Sequence, residues 1–389
     1  METKTATITE KAPKTLLILD GYGNTCSLIA ALLLQQTDIK LVLAGRSLEK
    51  AEGAANRFNS IYSGKRVKGI YAGAADTASL KRAFQGVDMV IVAASTAIYT
   101  REVALAALET GIDYLDIQYS TKKLAILNSL AEKINKANCC FITDGGFHPG
   151  IPAALVRFVA QYFDRMEKAI VGSVIKIDWA SLSMAESTMN EFIEELSDYS
   201  ALFFKEGHWK KAKMMGMVDY ITIDFGREFN LQYCVPMFLE EMRCLPEKYP
   251  SLQETGFFVG GFNWFVDWII LPIAMVAWKI WPKGSIGLIR RLMVWGLTTF
   301  SKPPYGTMLK VEAQGEKEGR LHVTDVVIYH EDGYKLTAIP VVACLLQYLN
   351  GSIRKPGLWL QANLVEPNQF LKDMELMGVE IRINNRCLS

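Results

Sequence analysis

The first 150 residues alternate short apolar runs with segments of helical spacing, and this alternation limits the fold more than any other feature of the chain. Strands are predicted in TLLILDGYG, IKLVLAGRS, KRVKGIYAGA, DMVIVAAS, GIDYLDIQYS and CCFITDGG, with a helical segment after each of the first five. Continuous apolar strands separated by helices indicate a parallel sheet that is covered on both faces. The sequence therefore predicts a doubly wound α/β domain.

The pattern changes after residue 150, and 389 residues are enough for a second domain. AIVGSVIKIDWA, DYITIDF and LQYCVPM alternate like strands of an antiparallel or mixed sheet with one wetter face. TMLKVEAQGEKEG and RLHVTDVVIYHEDG predict a hairpin, STMNEFIEELSDYSALFF predicts a helix, and the tail from LTAIPVV onward returns to helix. The second part is therefore expected to be an α+β domain with a mixed sheet.

Charge and composition exclude several classes of function. The formal net charge is +1 and the basic residues are scattered, so nucleic-acid binding is not expected. Seven cysteines without C-x-x-C spacing, and four histidines without close pairing, predict neither a disulfide framework nor a metal site. The polar start lacks an apolar leader, so a reducing cytoplasm is the expected compartment.

A glycine turn follows the first predicted strand and opens the first helix. Gly21 permits a tight turn, and Gly23 lets the backbone approach a pyrophosphate at the N-terminus of the helix. Cys26 replaces the third glycine of the usual motif, which makes the turn less specific. The position of the turn indicates a Rossmann-type dinucleotide site. The predicted contacts are Gly21, Tyr22, Gly23, Asn24 and Thr25.

The end of the second strand favours NADP(H) over NAD(H). NAD enzymes usually place an acidic residue there for the ribose 2′-hydroxyl, whereas this chain has Ala44 and Gly45 followed by Arg46. The guanidinium of Arg46 can bind the 2′-phosphate of NADP, with Ser47 as a second donor. The alternative is an arginine that only solvates the start of the next helix.

Residues after the third and fourth strands complete the predicted cofactor site. Asp76 follows the third strand, where adenine contacts fall in such folds. Ala94, Ser95 and Thr96 end the fourth strand, next to the expected position of the nicotinamide, because ligands bind outside the carboxyl ends of parallel strands. An equally good interpretation is that Ser95 and Thr96 cap the following helix.

Several segments resemble the saccharopine dehydrogenase-like reductases, namely GYGNT, AGRSLEKAE, VIVAAS, GIDYLDIQYS, FITDGGFHPGIPAALV, LPEKYPSLQETG and the closing TAIPVVACLLQYLNG. The resemblance covers nearly the whole chain. It implies a Rossmann domain of residues 1–147 and 336–389, interrupted by a substrate or dimerisation domain of residues 148–335. It also implies an NADP(H)-dependent oxidoreductase that transfers hydride to or from C=N or C=C bonds, with lipid-like substrates in some relatives.

Hydride transfer needs a proton donor near the reacting atom. His148, in the GGFHPG turn at the domain junction, is one candidate because histidine titrates near neutrality. Asp116 and Tyr119 follow the preceding strand and are expected to face the same region. The amino-acid-forming relatives tend to have an acidic residue at the place of His148, so saccharopine itself is not the expected substrate. Each candidate also has a purely structural alternative, such as hydrogen bonding to the turn backbone.

The segment of residues 256–300 is unusually apolar and aromatic for a cytoplasmic enzyme. Its uncharged part runs only from Trp268 to Trp278 and contains Pro272, which is short for a membrane span of about 20 residues. A buried helix pair or a homodimer interface is the first interpretation. Contact with a membrane surface is the second, because tryptophans and basic residues flank the apolar stretch.

Three functions are compatible with these observations. The first is an NADP(H)-dependent reductase of a small, hydrophobic or lipid-like substrate. The second is opine-type reduction of amino acids, which predicts an arginine-rich polar cleft. The third is a non-catalytic NADP-binding sensor or membrane scaffold, because fold alone does not determine function.

Overall fold

The computed structural model describes residues 13–93, 97–181, 200–213, 219–281, 284–384 and 386–387. The strands are β1 (Thr15–Leu19), β2 (Lys40–Gly45), β3 (Val67–Tyr71), β4 (Met89–Val92), β5 (Asp113–Asp116), β6 (Cys140–Thr143), β7 (Arg165–Lys176), β8 (Leu202–Lys205), β9 (His208–Lys211), β10 (Ile221–Asp224), β11 (Leu231–Met237), β12 (Glu254–Gly260), β13 (Gly306–Lys317), β14 (Arg320–His330), β15 (Gly357–Leu360), β16 (Glu380–Ile383) and β17 (Arg386–Cys387).

The α-helices of the same ranges are α1 (Asn24–Gln36), α2 (Leu48–Ile61), α3 (Thr77–Ala83), α4 (Thr100–Thr110), α5 (Thr121–Ser129), α6 (Ala131–Lys136), α7 (Pro152–Val159), α8 (Gly226–Phe229), α9 (Leu245–Lys248), α10 (Leu271–Ile280), α11 (Ile286–Phe300), α12 (Gly333–Leu349), α13 (Gln361–Leu364) and α14 (Pro367–Leu376). A π-helical turn (Val266–Ile270) leads into α10, and single 3-10 turns occur at Ala97–Tyr99, Ala160–Tyr162 and Glu240–Met242.

The first sheet has seven parallel strands in the order β15-β6-β5-β4-β1-β2-β3. Its central strands are buried on both faces, as their apolar runs require, and helices separate them along the chain. The strand order reverses between β1 and β4. Such a switch point leaves a crevice at the carboxyl ends of the strands, where ligands bind in doubly wound folds.

The second sheet is mixed. Its main path is β10-β11-β12-β7-β13-β14-β16-β17, and β8 pairs with both β12 and β9. Strands β7 and β12 are parallel, whereas their other neighbours are antiparallel. The structure thus confirms the predicted fold class, a doubly wound parallel sheet with an α+β mixed-sheet part, and the predicted hairpin is β13 and β14.

Two details of the second sheet differ from the sequence predictions. Leu202–Lys205, at the end of a predicted helix, forms β8, because Phe203 packs in a hydrophobic core with Ile170 of β7 and Phe258 of β12; residues 187–199 of that prediction lie outside the described residues. The tail strand Glu380–Ile383 pairs with β14, although the sequence grouped the whole tail with the first domain.

One hydrophobic core runs from the first sheet to the second. It contains Leu16 of β1, Leu155 of α7, Val341 of α12 and Leu309 of β13. Helix α12 contacts α1 on one side and the β13–β14 hairpin on the other. This shared core fixes the second sheet against the carboxyl edge of the first, which is where a substrate cleft is needed.

Candidate cofactor and substrate site

The turn after β1 is pressed against β2. Asp20 has a φ of 56°, and the amides of Tyr22 and Gly23 both donate to its carbonyl oxygen, at 2.7 and 3.2 Å. A Cβ atom at Gly21 would lie 3.0 Å from Leu43 Cδ2, so a larger residue would push the turn away from β2. The first glycine is therefore required for this close approach.

The N-terminus of α1 is open. Gly23 is the N-cap residue and provides no side-chain cap, Asn24 is exposed, and the first turn carries no acidic side chain. The first amides of a helix point outward and the helix dipole is positive at this end. This geometry fits the pyrophosphate of a dinucleotide, which would accept hydrogen bonds from those amides.

Cys26 explains how the turn tolerates the loss of the third glycine. Its side chain is buried, and its Sγ donates to the carbonyl oxygen of Ala93 at 3.4 Å, just beyond β4. Burial raises the pKa of this thiol to about 12, so it stays protonated. Cys26 thus fills the contact between α1 and β4 as a small apolar group.

Tyr22 covers the end of β2. A Cβ atom at Gly45 would collide with the Tyr22 ring and lie 2.8 Å from its hydroxyl oxygen. The space beyond β2 in which an NAD enzyme places its ribose-binding carboxylate is therefore occupied by an aromatic ring. Local sequence shows the glycine but not the ring that needs it.

Arg46 is exposed directly after β2, at the carboxyl edge of the sheet. Asp20 and Arg46 directly follow the neighbouring parallel strands β1 and β2; burial raises the pKa of Asp20, and the positive charge of Arg46 opposes that shift. Ser47 caps α2, because its Oγ accepts from the amide of Lys50 at 3.3 Å. The hydroxyl proton of Ser47 is still able to donate to a ligand.

Asp76 caps α3. Its carboxylate accepts from the amide of Ser79 at 3.0 Å, and hydrogen bonds from that backbone lower its pKa. Ala94, Ser95 and Thr96 lie outside the described residues.

A buried ion triad closes the carboxyl ends of β5 and β6. Lys123 Nζ lies 2.6 Å from Asp116 Oδ1 and 2.6 Å from Asp144 Oδ1, and it also donates to the carbonyl of Gln118. Thr143 Oγ1 donates to both oxygens of Asp116, at 3.1 and 2.9 Å. The carboxylate oxygens of Asp116 are thus already bound by Lys123 and Thr143. The sequence singled out Asp116 but neither Lys123 nor Asp144.

The pKa values of the triad reflect burial and pairing. Burial lowers the pKa of Lys123, but the charges of Asp116 and Asp144 outweigh this and raise it, so the ammonium is retained. Burial raises the pKa of Asp144 more than Lys123 lowers it. Asp144 therefore holds a proton at higher pH than an ordinary aspartate.

A cavity of about 240 Å³ lies above the triad at the junction of the two sheets. Asp144 and Tyr119 line it from the first domain, and Phe238 and Glu240 line it from the second. Tyr119 OH donates to the carbonyl oxygen of Phe238 at 3.3 Å and so ties the two walls together. Its other lining residues are Ser120, Thr121, Leu124, Ala125 and Asn128.

His148 lies to the side of this cavity and does not line it. Its ring packs between Phe147 and Phe257, with centroid distances of 4.3 and 5.4 Å. Nε2 is buried and has no hydrogen-bond partner among the described residues. Burial lowers the pKa of His148 to about 4, so the ring is neutral at pH 7.

Glu241 fixes the turn that carries His148. Its two carboxyl oxygens accept from the amide of Gly150 at 2.6 Å and of Ala153 at 3.0 Å, at the start of α7. Gln361 adds hydrogen bonds from its Nε2 to carbonyl oxygens of the same turn. Burial raises the pKa of Glu241 to about 8, although the backbone amides oppose this shift. The second domain thus orients the GFHPG turn through one buried carboxyl group.

Comparison with known protein families identifies the first domain. Residues 17–139 match the family model described as the saccharopine dehydrogenase NADP binding domain. This domain is a saccharopine dehydrogenase-like NADP-binding domain. No curated protein sequence matches the chain closely enough to count as a relative.

The saccharopine dehydrogenase-like fold extends beyond that domain. Saccharopine dehydrogenase (L-Glu forming) from Saccharomyces cerevisiae superposes with a TM-score of 0.68 over 97% of this chain and 100% of that chain, at 14% identity. An identity this low shows the fold alone. DAP dehydrogenase from C. glutamicum reaches a TM-score of only 0.45 at 11% identity, over 95% of this chain and 100% of that chain.

Within this saccharopine dehydrogenase-like fold, the residues missed by sequence reasoning are Lys123, Asp144 and Glu241. Asp144 directly follows β6, and Asp116 is the last residue of β5, so the carboxyl-end rule that pointed to Asp116 could also have found Asp144. Lys123 looks like an ordinary helix-surface lysine next to Lys122, and Glu241 like a solvated acid next to Glu240. Neither carries a local signal of burial.

Proposed function

We propose that this chain is an NADP(H)-dependent oxidoreductase that transfers hydride to or from a C=N or C=C bond of a small substrate. The observation that carries the proposal is the open, acid-free N-terminus of α1 at the switch point of the saccharopine dehydrogenase-like domain. When bound there, the cofactor supplies or accepts the hydride. The chain's own residues bind it, orient the substrate and move the proton.

Arg46 supports NADP(H) over NAD(H). Its guanidinium is exposed at the end of β2, no carboxylate ends that strand, and Tyr22 fills the space above Gly45. A guanidinium group can form two parallel hydrogen bonds to a phosphate, whereas it forms no interaction of comparable specificity with a 2′-hydroxyl. We assign the 2′-phosphate to Arg46, with Ser47 as a second donor from the start of α2.

The junction cavity supports a substrate without a carboxylate at the reacting end. Two carboxyl groups, of Asp144 and Glu240, line it, whereas the described lining contains no lysine or arginine. This lining offers no cation to bind a substrate carboxylate, and its own carboxyl groups are paired, Asp144 with Lys123 and Glu240 with Arg243. It therefore favours reduction of a C=N bond over opine-type reduction at an amino-acid carboxylate, which needs an arginine-rich cleft.

We assign proton transfer to Tyr119. It lines the cavity, whereas Asp116 is saturated by Lys123 and Thr143, and His148 is neutral at pH 7 and faces two phenylalanine rings. Without substrate, Tyr119 OH donates a hydrogen bond to the carbonyl oxygen of Phe238, and an acceptor atom of a substrate in the cavity would compete for this hydrogen bond. Asp144 is the neighbouring group that can hold a second proton, because burial raises its pKa.

Calorimetric titration with NADPH and NADH tests the cofactor assignment. Hydrogen bonds to a charged group contribute about 1.5–3 kcal/mol, so Arg46→Ala should weaken NADPH binding by about 10- to 150-fold. Binding of NADH should change by less than about twofold, because that cofactor has no 2′-phosphate.

Arg320→Ala is the matched control, since Arg320 is also exposed but is the first residue of β14 in the second sheet. It should leave the binding of both cofactors unchanged. Equal weakening of NADPH and NADH by Arg46→Ala, or equal affinity of the unmodified protein for both, would overturn the assignment.

A further inference from the structure

The apolar segment folds into a helical hairpin with its own small core. One arm comprises residues 266–280, the π-helical turn and α10, and the other is α11. The inner faces meet through Val266, Ile270 and Ala274 on one arm and Ile289 and Met293 on the other, all buried. The predicted helix pair is therefore real, but its core is separate from the main one.

The outer face of the same hairpin is also apolar. Ile269, Ile273, Val276 and Ile280 recur at intervals of four, three and four residues, which places them on one side of the arm, and each is exposed. A helix that is apolar on all sides occurs where no side faces bulk water. Packing against α11 accounts for only one side of this arm.

Tryptophans extend the exposed apolar surface along the hairpin. Trp264, Trp268, Trp281 and Trp295 are each at least half exposed. Together these four rings alone present roughly 340–570 Å², taking about 150–250 Å² for a whole aromatic side chain. This equals the largest apolar patch of a typical monomer before any aliphatic side chain is added.

The hairpin carries charges of one sign along most of its length. Residues 268–300 contain four basic residues and no acidic residue. Arg291 is exposed on α11, between Leu288 and Trp295 on the same side of the helix. A long arginine side chain can lie along apolar surface and reach a phosphate with its guanidinium.

Asp267 is the acidic residue of the hairpin, residues 266–300, and its carboxylate is bound within the protein. The carboxylate of Asp267 accepts from the amide of Phe262 at 2.9 Å, and burial raises its pKa to about 6 while the charge of Lys176 opposes the shift. The exposed face is thus apolar, aromatic and cationic.

We propose that this face docks onto the surface of an anionic lipid bilayer. Each arm has 15 residues and is roughly 22 Å long, so the hairpin lies in the headgroup region and does not cross the hydrocarbon core of about 30 Å. In agreement, none of the described helices is long and apolar enough to span a membrane. The tryptophans sit at the boundary between headgroups and acyl chains, and the basic residues bind lipid phosphates.

A second copy of the chain fits this face less well. In a two-fold dimer the same patch meets itself, so the exposed Arg291 of each copy would approach a segment, residues 268–300, that contains basic residues and no acidic residue. An anionic lipid surface provides the missing negative charge. The charge pattern therefore favours lipid over self-association.

Vesicle flotation of the full chain tests the proposal. The protein should float with phosphatidylcholine vesicles that contain about one third phosphatidylglycerol, and much less with phosphatidylcholine alone or at about 0.5 M salt. The double variant Ile273→Gln/Val276→Gln should lower the partition coefficient about 10- to 100-fold, because both side chains lose favourable burial. Arg291→Gln should lower it about fivefold, on the anionic vesicles only.

The matched control is Leu321→Gln/Val323→Gln, which removes two apolar side chains from β14 that are at least as exposed as Ile273 and Val276. This control should float like the unmodified protein. Absence of flotation of the unmodified protein, or an equal loss in the control, would overturn the proposal. A dimer in light scattering that Ile273→Gln/Val276→Gln dissociates, without any vesicle binding, would assign the face to a second copy instead.

Discussion

Replacing Lys123 with methionine should destabilise the protein by about 3–5 kcal/mol at pH 7, which is the usual cost of breaking a buried ion pair by removing one partner. Methionine has a similar length and fills the space, so the change isolates the charge. Lys123 is fully buried and lies 2.6 Å from both Asp116 and Asp144. The variant leaves two buried carboxylates near each other without a compensating cation.

The loss should depend on pH in a defined direction. Burial already raises the pKa of Asp144, and without Lys123 one of the two carboxyl groups takes up a proton in the folded state. The unfolded chain binds that proton only near pH 4, so lowering the pH from 7 to 5 favours the folded variant. At about 1.4 kcal/mol per pH unit for one proton, up to roughly 2.7 kcal/mol is recovered by pH 5.

Urea unfolding followed by circular dichroism at pH 7 and pH 5 measures both quantities. Lys122→Met is the matched control, because Lys122 is the exposed neighbour on the same helix, and it should change stability by less than about 0.5 kcal/mol. The reasoning is refuted if Lys123→Met costs less than about 1 kcal/mol at pH 7, or if its cost is the same at both pH values.

Three further outcomes follow from the site. Glu241→Gln should lower the melting temperature by roughly 2–10 °C, because the amide NH₂ faces a backbone donor where a carboxyl oxygen accepted; an unchanged melting curve contradicts that account. In an NMR titration His148 should have its midpoint near pH 4, so folded stability falls as the pH drops from about 6.5 toward 4, and a midpoint above pH 6 contradicts its burial. Tyr119→Phe should leave NADPH binding within about twofold while slowing turnover of an identified substrate by about 10²- to 10⁴-fold, and full turnover would remove Tyr119 from proton transfer.

Much of the fold follows from local pattern. The alternation of buried strands and helices predicted the parallel sheet, and period-two strands with a glycine-containing turn predicted the β13–β14 hairpin. These features depend on side-chain periodicity and backbone sterics within about 20 residues, which the sequence displays directly. The same dependence on local pattern explains why the helix prediction for β8 is wrong. Its local pattern fits a helix, whereas the packing of Phe203 in the core of the second sheet favours a strand.

Single residues in the sequence also predicted features of the cofactor site. Gly21 is needed by the close approach of the turn to β2, and the absence of an acid after Ala44 is visible in the sequence. The reason that Gly45 has no side chain is not visible in the local sequence, because the Tyr22 ring that occupies the space comes from the turn after β1.

The sequence by itself therefore determined the parallel sheet, the dinucleotide turn and the acid-free end of β2, since each is set by neighbours along the chain. Only the tertiary structure decided which charges are buried. Asp144 lies 21 residues from Lys123, and Glu241 lies 91 residues from the Gly150 amide that it accepts from. Packing against α11 likewise decided which side of the arm of residues 266–280 is buried and left the side with Ile273 exposed. Burial is a property of what surrounds a residue in space, and for an ionic side chain it decides pairing, protonation and role.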